Sequence, residues 1–159
     1  MRRLEVRFLS GPPLNMSQIQ DQSISARGLL NYAQEYYNGY KIIYNEAPRS
    51  VKYFNVKYYL LCHALELAMK AWLFYKGYSI KKLESLGHDL DKIAPALQKT
   101  GYTGLDGESC EIIKLANCNY CSKKLEYFCR GAMIMPGLDH LAPLTGKILA
   151  DIQPTILQR

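Results

Sequence analysis

The stretch from Tyr58 to Leu90, YYLLCHALELAMKAWLFYKGYSIKKLESLGHDL, decides the architecture. Its first half is apolar on nearly every side at helical spacing, with Leu60, Leu61, Ala64, Leu65, Leu67, Ala68, Trp72 and Phe74 spread around the wheel. One narrow polar line interrupts them. At about 100° per residue, Lys52, Asn55, Tyr59, His63, Glu66 and Lys70 share a single thin face. A surface helix carries a broad polar side, so this pattern predicts a central helix enclosed by others. Ionisable groups along such a helix must be paired or must line a site, because unpaired burial costs several kcal/mol or a large pKa shift.

Working outward, every element from Met16 onward reads as helix. Ser17 or Ser23 is placed to cap a first helix running to about Tyr37. Pro48 separates it from the central helix, expected from near Val51 to Gly77, with the glycine at its C-terminal end. Ser79 to Ser85 is a short basic turn or helical piece. Asp89 to Lys99 forms a third helix closed by Gly101. Asp106-Gly107-Glu108 opens a fourth, expected to continue past Tyr120 to Cys129. Gly137 to Leu157 forms the last, with bends at Pro143 and Pro154 as an option. Only Glu5–Leu9 alternates like a strand. The expected fold is therefore all-α, an antiparallel four- to five-helix bundle.

The 159 residues suit one domain, assigned to residues 16–159, with residues 1–15 as a flexible arm or upstream extension ahead of Met16. The opening segment never reaches a continuous apolar core and does not read as a signal peptide, and no later segment reads as a membrane span. Five cysteines, an odd number, point to reduced thiols and a cytoplasmic setting. Cys118 and Cys121 form half of a zinc-ribbon signature without a second pair at ribbon spacing, so no metal is expected. No phosphate loop, dinucleotide fingerprint, Ser-His-Asp arrangement or His-Glu-x-x-His motif is present, and no cofactor is expected. The net charge of +6 is spread thinly, Lys81–Lys82 and Lys123–Lys124 being the basic pairs after the N-terminus. It allows an acidic partner such as nucleic acid without locating one.

Leu61-Cys62-His63-Ala64-Leu65-Glu66-Leu67-Ala68-Met69-Lys70-Ala71, followed by Gly77 and then Gly87-His88-Asp89-Leu90, resembles the HEPN superfamily. In bacterial HEPN-like proteins an apolar helix carries Glu-Leu-x-x-Lys, then a glycine, then a Gly-His-Asp-Leu turn. Leu125 to Arg130 and Pro136 are similar to the family's C-terminal part, more weakly. The resemblance implies a helical bundle, often a homodimer, and roles in RNA cleavage, toxin–antitoxin pairs, phage defence or nucleotide binding. Ribonuclease members carry an Arg four to six residues ahead of a His. Here the comparable pair is Arg130 and His140, with nine residues between them, which departs from that spacing.

Spacing makes His63, Glu66 and Lys70 neighbours on one helix face, and the His88 turn is able to fold back on them. His63, Glu66 and His88 are thus candidates for acid–base or ligand-binding chemistry, and Lys70, Tyr59 and Arg130 for ligand binding. In the alternative, structural role, Glu66 accepts hydrogen bonds from the His88 turn and locks a helix junction. Tyr32, Tyr36, Tyr37, Tyr40 and Tyr44 similarly admit base stacking or packing at a bundle edge. Three functions stand open: a HEPN-like protein acting by binding RNA, a nucleotide or a protein partner; an atypical metal-independent ribonuclease using Arg130 with His140 or His63; and a recruiting module beside an enzyme.

Overall fold

The computed structural model describes residues 24–48, 51–127 and 132–158. The expected arm at residues 1–15, its strand-like segment, and the Ser17 and Ser23 caps lie outside the described residues, as do Cys129 and Arg130. Among the described residues there are six helices and no strand: α1 (Ala26–Glu46), α2 (Phe54–Tyr75), α3 (Ile80–Ser85), α4 (Leu90–Lys99), α5 (Gly107–Tyr120) and α6 (Leu138–Leu157). None of these helices is long and apolar enough to cross a membrane.

The central position of α2 follows from its lack of a polar side. It packs against α1 most extensively, and also against α3, α4, α5 and α6. Leu61, Leu65, Met69 and Leu73 on it are fully buried with Leu30 of α1, Leu90, Ile93 and Leu97 of α4, Ile113 of α5, and Leu141 and Ile148 of α6. Each such side chain contributes about 1.5–3 kcal/mol on leaving water. Tyr37, Tyr40 and Tyr44 pack along α1, with Tyr40 buried and its ring against both of the others. Packing is thus the role of these three, whereas Tyr32 is exposed.

Capping fixes most of the helix ends. Ser25, two residues beyond the expected Ser23, accepts from the Gly28 amide and caps α1, which runs nine residues further than Tyr37. Ser79 caps α3, Asp89 caps α4 and Asp106 caps α5. At the end of α2 the Tyr78 amide returns to the Leu73 carbonyl and the Gly77 amide to Phe74, with Gly77 at φ +93°. That is a Schellman closure, for which glycine is suited because it carries no Cβ.

The helix expected to run from Asp106 to Cys129 is α5, and it ends at Tyr120. Its closure has the same form, Lys124 to Asn119 and Lys123 to Tyr120, with Lys123 in the left-handed position at φ 59°. The Ser122 hydroxyl also donates to the Cys118 and Asn119 carbonyls. The turn then folds back to bury Leu125.

Two further ties hold the assembly. Tyr58 donates its hydroxyl to the Pro136 carbonyl at 2.8 Å, and the Asn119 amide donates to the Ile134 carbonyl at 2.7 Å, fixing the segment ahead of α6. Gly146 lets α6 approach α1: a Cβ there would fall 2.6 Å from the Tyr37 hydroxyl oxygen. Lys57, off the polar line and only 1% exposed, donates from Nζ to the carbonyl of Ala47, the residue that ends α1.

Candidate functional site

Glu66 is 1% exposed, and its carboxylate collects donors from three parts of the chain. Lys70, one turn further along α2, donates to Oε1 at 2.7 Å. His88, in the turn between α3 and α4, lies with Nδ1 2.9 Å from Oε2. Tyr120, in the last turn of α5, donates its hydroxyl to Oε2 at 2.5 Å. Lys70 also donates to the Gly87 carbonyl at 2.6 Å, so one ammonium clasps both the carboxylate and the turn that carries His88. Burial pushes the Glu66 carboxyl up, but Lys70, Tyr120 and His88 together outweigh it and hold it below its ordinary value. Glu66 is therefore a charged acceptor whose capacity is committed.

The proton positions follow. An ionised carboxylate only accepts, so His88 donates from Nδ1. The single hydroxyl proton of Tyr120 goes to Glu66, so the Tyr120 oxygen accepts from Nδ1 of His63 at 2.8 Å. Both histidines are thus tied to Glu66 through Nδ1, His88 directly and His63 by way of Tyr120, which leaves both Nε2 atoms outside the network. His63 is held in an aromatic sleeve, stacked on Tyr59 with 10° between ring planes and edge-on to Tyr36. Burial lowers its pKa; Glu66 opposes this, while His88 and Lys70 add to the lowering. The side chain of His88, in contrast, is 52% exposed. Burial and the Glu66 charge push Tyr120 well above the ordinary phenol value, so it remains a donor.

Each residue of the Gly-His-Asp-Leu turn has an assignable task. Gly87 takes φ +57°, and His88 reaches Glu66. Asp89 accepts from the Asp91 amide to start α4, and Leu90 enters the core. Buried Asn117 of α5 locks the turn from the other side. It accepts from the Leu90 amide at 2.9 Å and donates to the carboxylates of Asp89 and Asp91. Neither Tyr120 nor Asn117 stands out in the sequence; their signal is a polar residue every third position, 117 and 120, on a helix that otherwise buries Ile113 and Ala116.

The sequence candidates divide. His63, Glu66, His88 and Lys70 converge as their spacing predicts, and Tyr59 stacks on His63. His140 does not join them. It is exposed and lines a separate cleft of about 490 Å³ between α5 and α6, with Glu108, Glu111, Ile112, Lys114 and Met135 among the other walls. Arg130 lies outside the described residues, so its pairing with His140 or His63 has no geometry here.

His63, Glu66 and His88 also place three ligand-type atoms within 4.8 Å of one another. A metal held through the two Nδ1 atoms would have to displace the Tyr120 hydroxyl and strip both Nδ1 protons, beside the ammonium of Lys70. None of the family models, curated proteins or solved structures compared with this chain matches it.

Proposed function

We propose that this chain is a HEPN-like helical protein that acts by binding, and that RNA or a nucleotide docks on the face formed by His88, His63, Tyr59 and Tyr36. One observation carries this reading: His88 is half exposed, yet its ring is fixed by a buried, charged carboxylate. A side chain so anchored loses little freedom on meeting a ligand, which favours binding. Around it, aromatic rings are available for a base and Nε2 for a phosphate or base edge. The turn carrying Lys123 and Lys124 belongs to the same neighbourhood, since the charge of Glu126 is felt at Tyr59 and His63. Titration of the full chain with a short RNA at two salt concentrations tests it. Tight binding that weakens with salt, and weakens again in His88→Ala, is expected, because phosphate contacts release counterions. Weak binding indifferent to salt would remove nucleic acid and leave a protein partner, as in a toxin–antitoxin or defence pair.

A second reading draws on the same anchoring. A carboxylate that accepts from Nδ1 of a histidine orients the ring and leaves Nε2 as a base, the arrangement used to activate hydroxyl nucleophiles. His88 would then take the proton from a ribose 2′-hydroxyl as it attacks the adjacent phosphorus, the bond to the 5′-oxygen would break with a proton supplied by solvent, and a 2′,3′-cyclic phosphate would remain. Cleavage resistant to chelators, absent with 2′-deoxy substrate and lost in His88→Ala would support a metal-independent ribonuclease. Intact RNA after prolonged incubation with the wild-type chain would end it.

A further inference from the structure

Cys118, in the last turn of α5, and Cys121, its C-cap residue three positions on, are both exposed, while Cys62 is buried and Cys110 half-buried. Residues at this spacing share a helix face. Between them lies Tyr120, the donor to Glu66. We propose that Cys118 and Cys121 are a reversible thiol-modification site, closing to an intrahelical disulfide that pulls on Tyr120.

The geometry supplies both the possibility and the coupling. Side chains three apart on a helix hold their Cβ atoms about 5–6 Å from each other. A disulfide needs about 3.5–4.5 Å. Closure therefore has to tighten the turn, and Cys118 has to release the carbonyl of Lys114, to which its thiol now donates at 3.4 Å. On its C-terminal side Cys121, Ser122, Lys123 and Lys124 are exposed, so the turn can tighten there at the expense of the Lys123 and Lys124 amide bonds to Tyr120 and Asn119. It is held on the other side by Asn117, locked onto Asp89, Leu90 and Asp91. Asn119 and Tyr120, the two buried residues between the thiols, are thus the side chains that move, and Tyr120 carries the strain to Glu66. A disulfide strained in this way is easily reduced, which makes the site reversible.

A small-molecule disulfide such as oxidised glutathione supplies the oxidant. The Cys118 thiolate attacks one of its sulfurs, forming a mixed disulfide and expelling one glutathione thiolate. Cys121 gives its proton to solvent, attacks the Cys118 sulfur and expels the second. The protein loses two hydrogens with two electrons, and the oxidant gains them. Burial raises the Cys121 thiol pKa, and the Asp89 and Asp91 carboxylates raise it further, which disfavours its thiolate and suits it to the second step.

Trypsin isolates the pair. Cleavage after Lys114 and Lys123 yields one peptide, Leu115 to Lys123, that holds both thiols and no other. Full-length protein exposed to oxidised glutathione, then quenched and alkylated, is expected to give this peptide two hydrogens lighter and unalkylated. In Cys121→Ser one glutathione should remain on Cys118, and Cys110→Ser should close like wild type. The closed protein should show a lower thermal midpoint that dithiothreitol restores. A doubly alkylated peptide, or one joined to Cys62, Cys110 or Cys129, overturns the site. Full closure with an unmoved midpoint overturns the link to Tyr120. Zinc added alone is the remaining arm: stoichiometric uptake that blocks closure would make the pair part of a metal site and overturn the proposal.

Discussion

Tyr120 and Glu66 stand 54 residues apart in the chain and meet at 2.5 Å in the interior. The same hydroxyl oxygen receives the Nδ1 proton of His63. Tyr120→Phe keeps the ring and removes both bonds, leaving one lone pair of Glu66 and one His63 donor unsatisfied. Stability should fall by about 1–3 kcal/mol for each group left without a partner. Urea unfolding measures it, and a change within about 0.5 kcal/mol, the range of a surface substitution, would show the bond to be dispensable.

Glu66→Ala should be more damaging, because Lys70, His88 and Tyr120 all lose their acceptor. The loss belongs to the fold and should appear in thermal melts whether or not any ligand is present. Combined with His88→Ala, the cycle should show coupling of about 0.5–3 kcal/mol. Additive losses would mean that the two residues do not interact in solution.

Acidification should weaken the fold in two stages. His63 has a folded pKa below its ordinary 6.5, so the unfolded chain binds the proton more readily. Its contribution is complete above about that pH and declines as pH falls towards the folded value. Glu66 is also lowered, from an ordinary 4.5, so its contribution is complete above that pH and lost further down. Thermal midpoints measured from pH 8 to pH 3 should therefore begin to fall below about 6.5 and fall again below about 4.5. His63→Gln should lack the first stage. A wild-type midpoint that is level from pH 7 to pH 5 would contradict the half-buried neutral imidazole.

Asn117→Ala leaves the Leu90 amide without its acceptor and two carboxylates without a shared donor. A loss of about 1–3 kcal/mol is expected from the buried amide alone. Hydrogen exchange locates it. The Leu90 amide should exchange faster in the variant, and unchanged protection there would show that the turn is held by other means.

How far the sequence foretells this arrangement depends on the distance over which each signal acts. His63, Glu66 and Lys70 are legible because a helix brings positions three and four apart together, and His88 because a short helix after Gly77 returns the chain. The ends of α2 and α4 are legible through Gly77 and Gly101, which carry the positive φ that a Schellman closure needs. The end of α5 is not, because Lys123 takes the same conformation without glycine to announce it. Tyr120 is hidden among thirteen tyrosines, and Asn117 in an ordinary helical run, since their partners are tertiary. Lys57 is hidden for a related reason: its acceptor is a backbone carbonyl, which has no side-chain signature.

The donors of Glu66 lie at sequence separations of 4, 22 and 54 residues, all on its C-terminal side. They consequently leave the ribosome in that order, and the entropic cost of closing the loop to each rises in the same order. Lys70 is in place as soon as α2 is helical, His88 once α3 and its turn have emerged, and Tyr120 only when α5 docks. During synthesis the carboxylate acquires a counter-charge before it is enclosed, so the nascent chain need not bury a bare anion at any step.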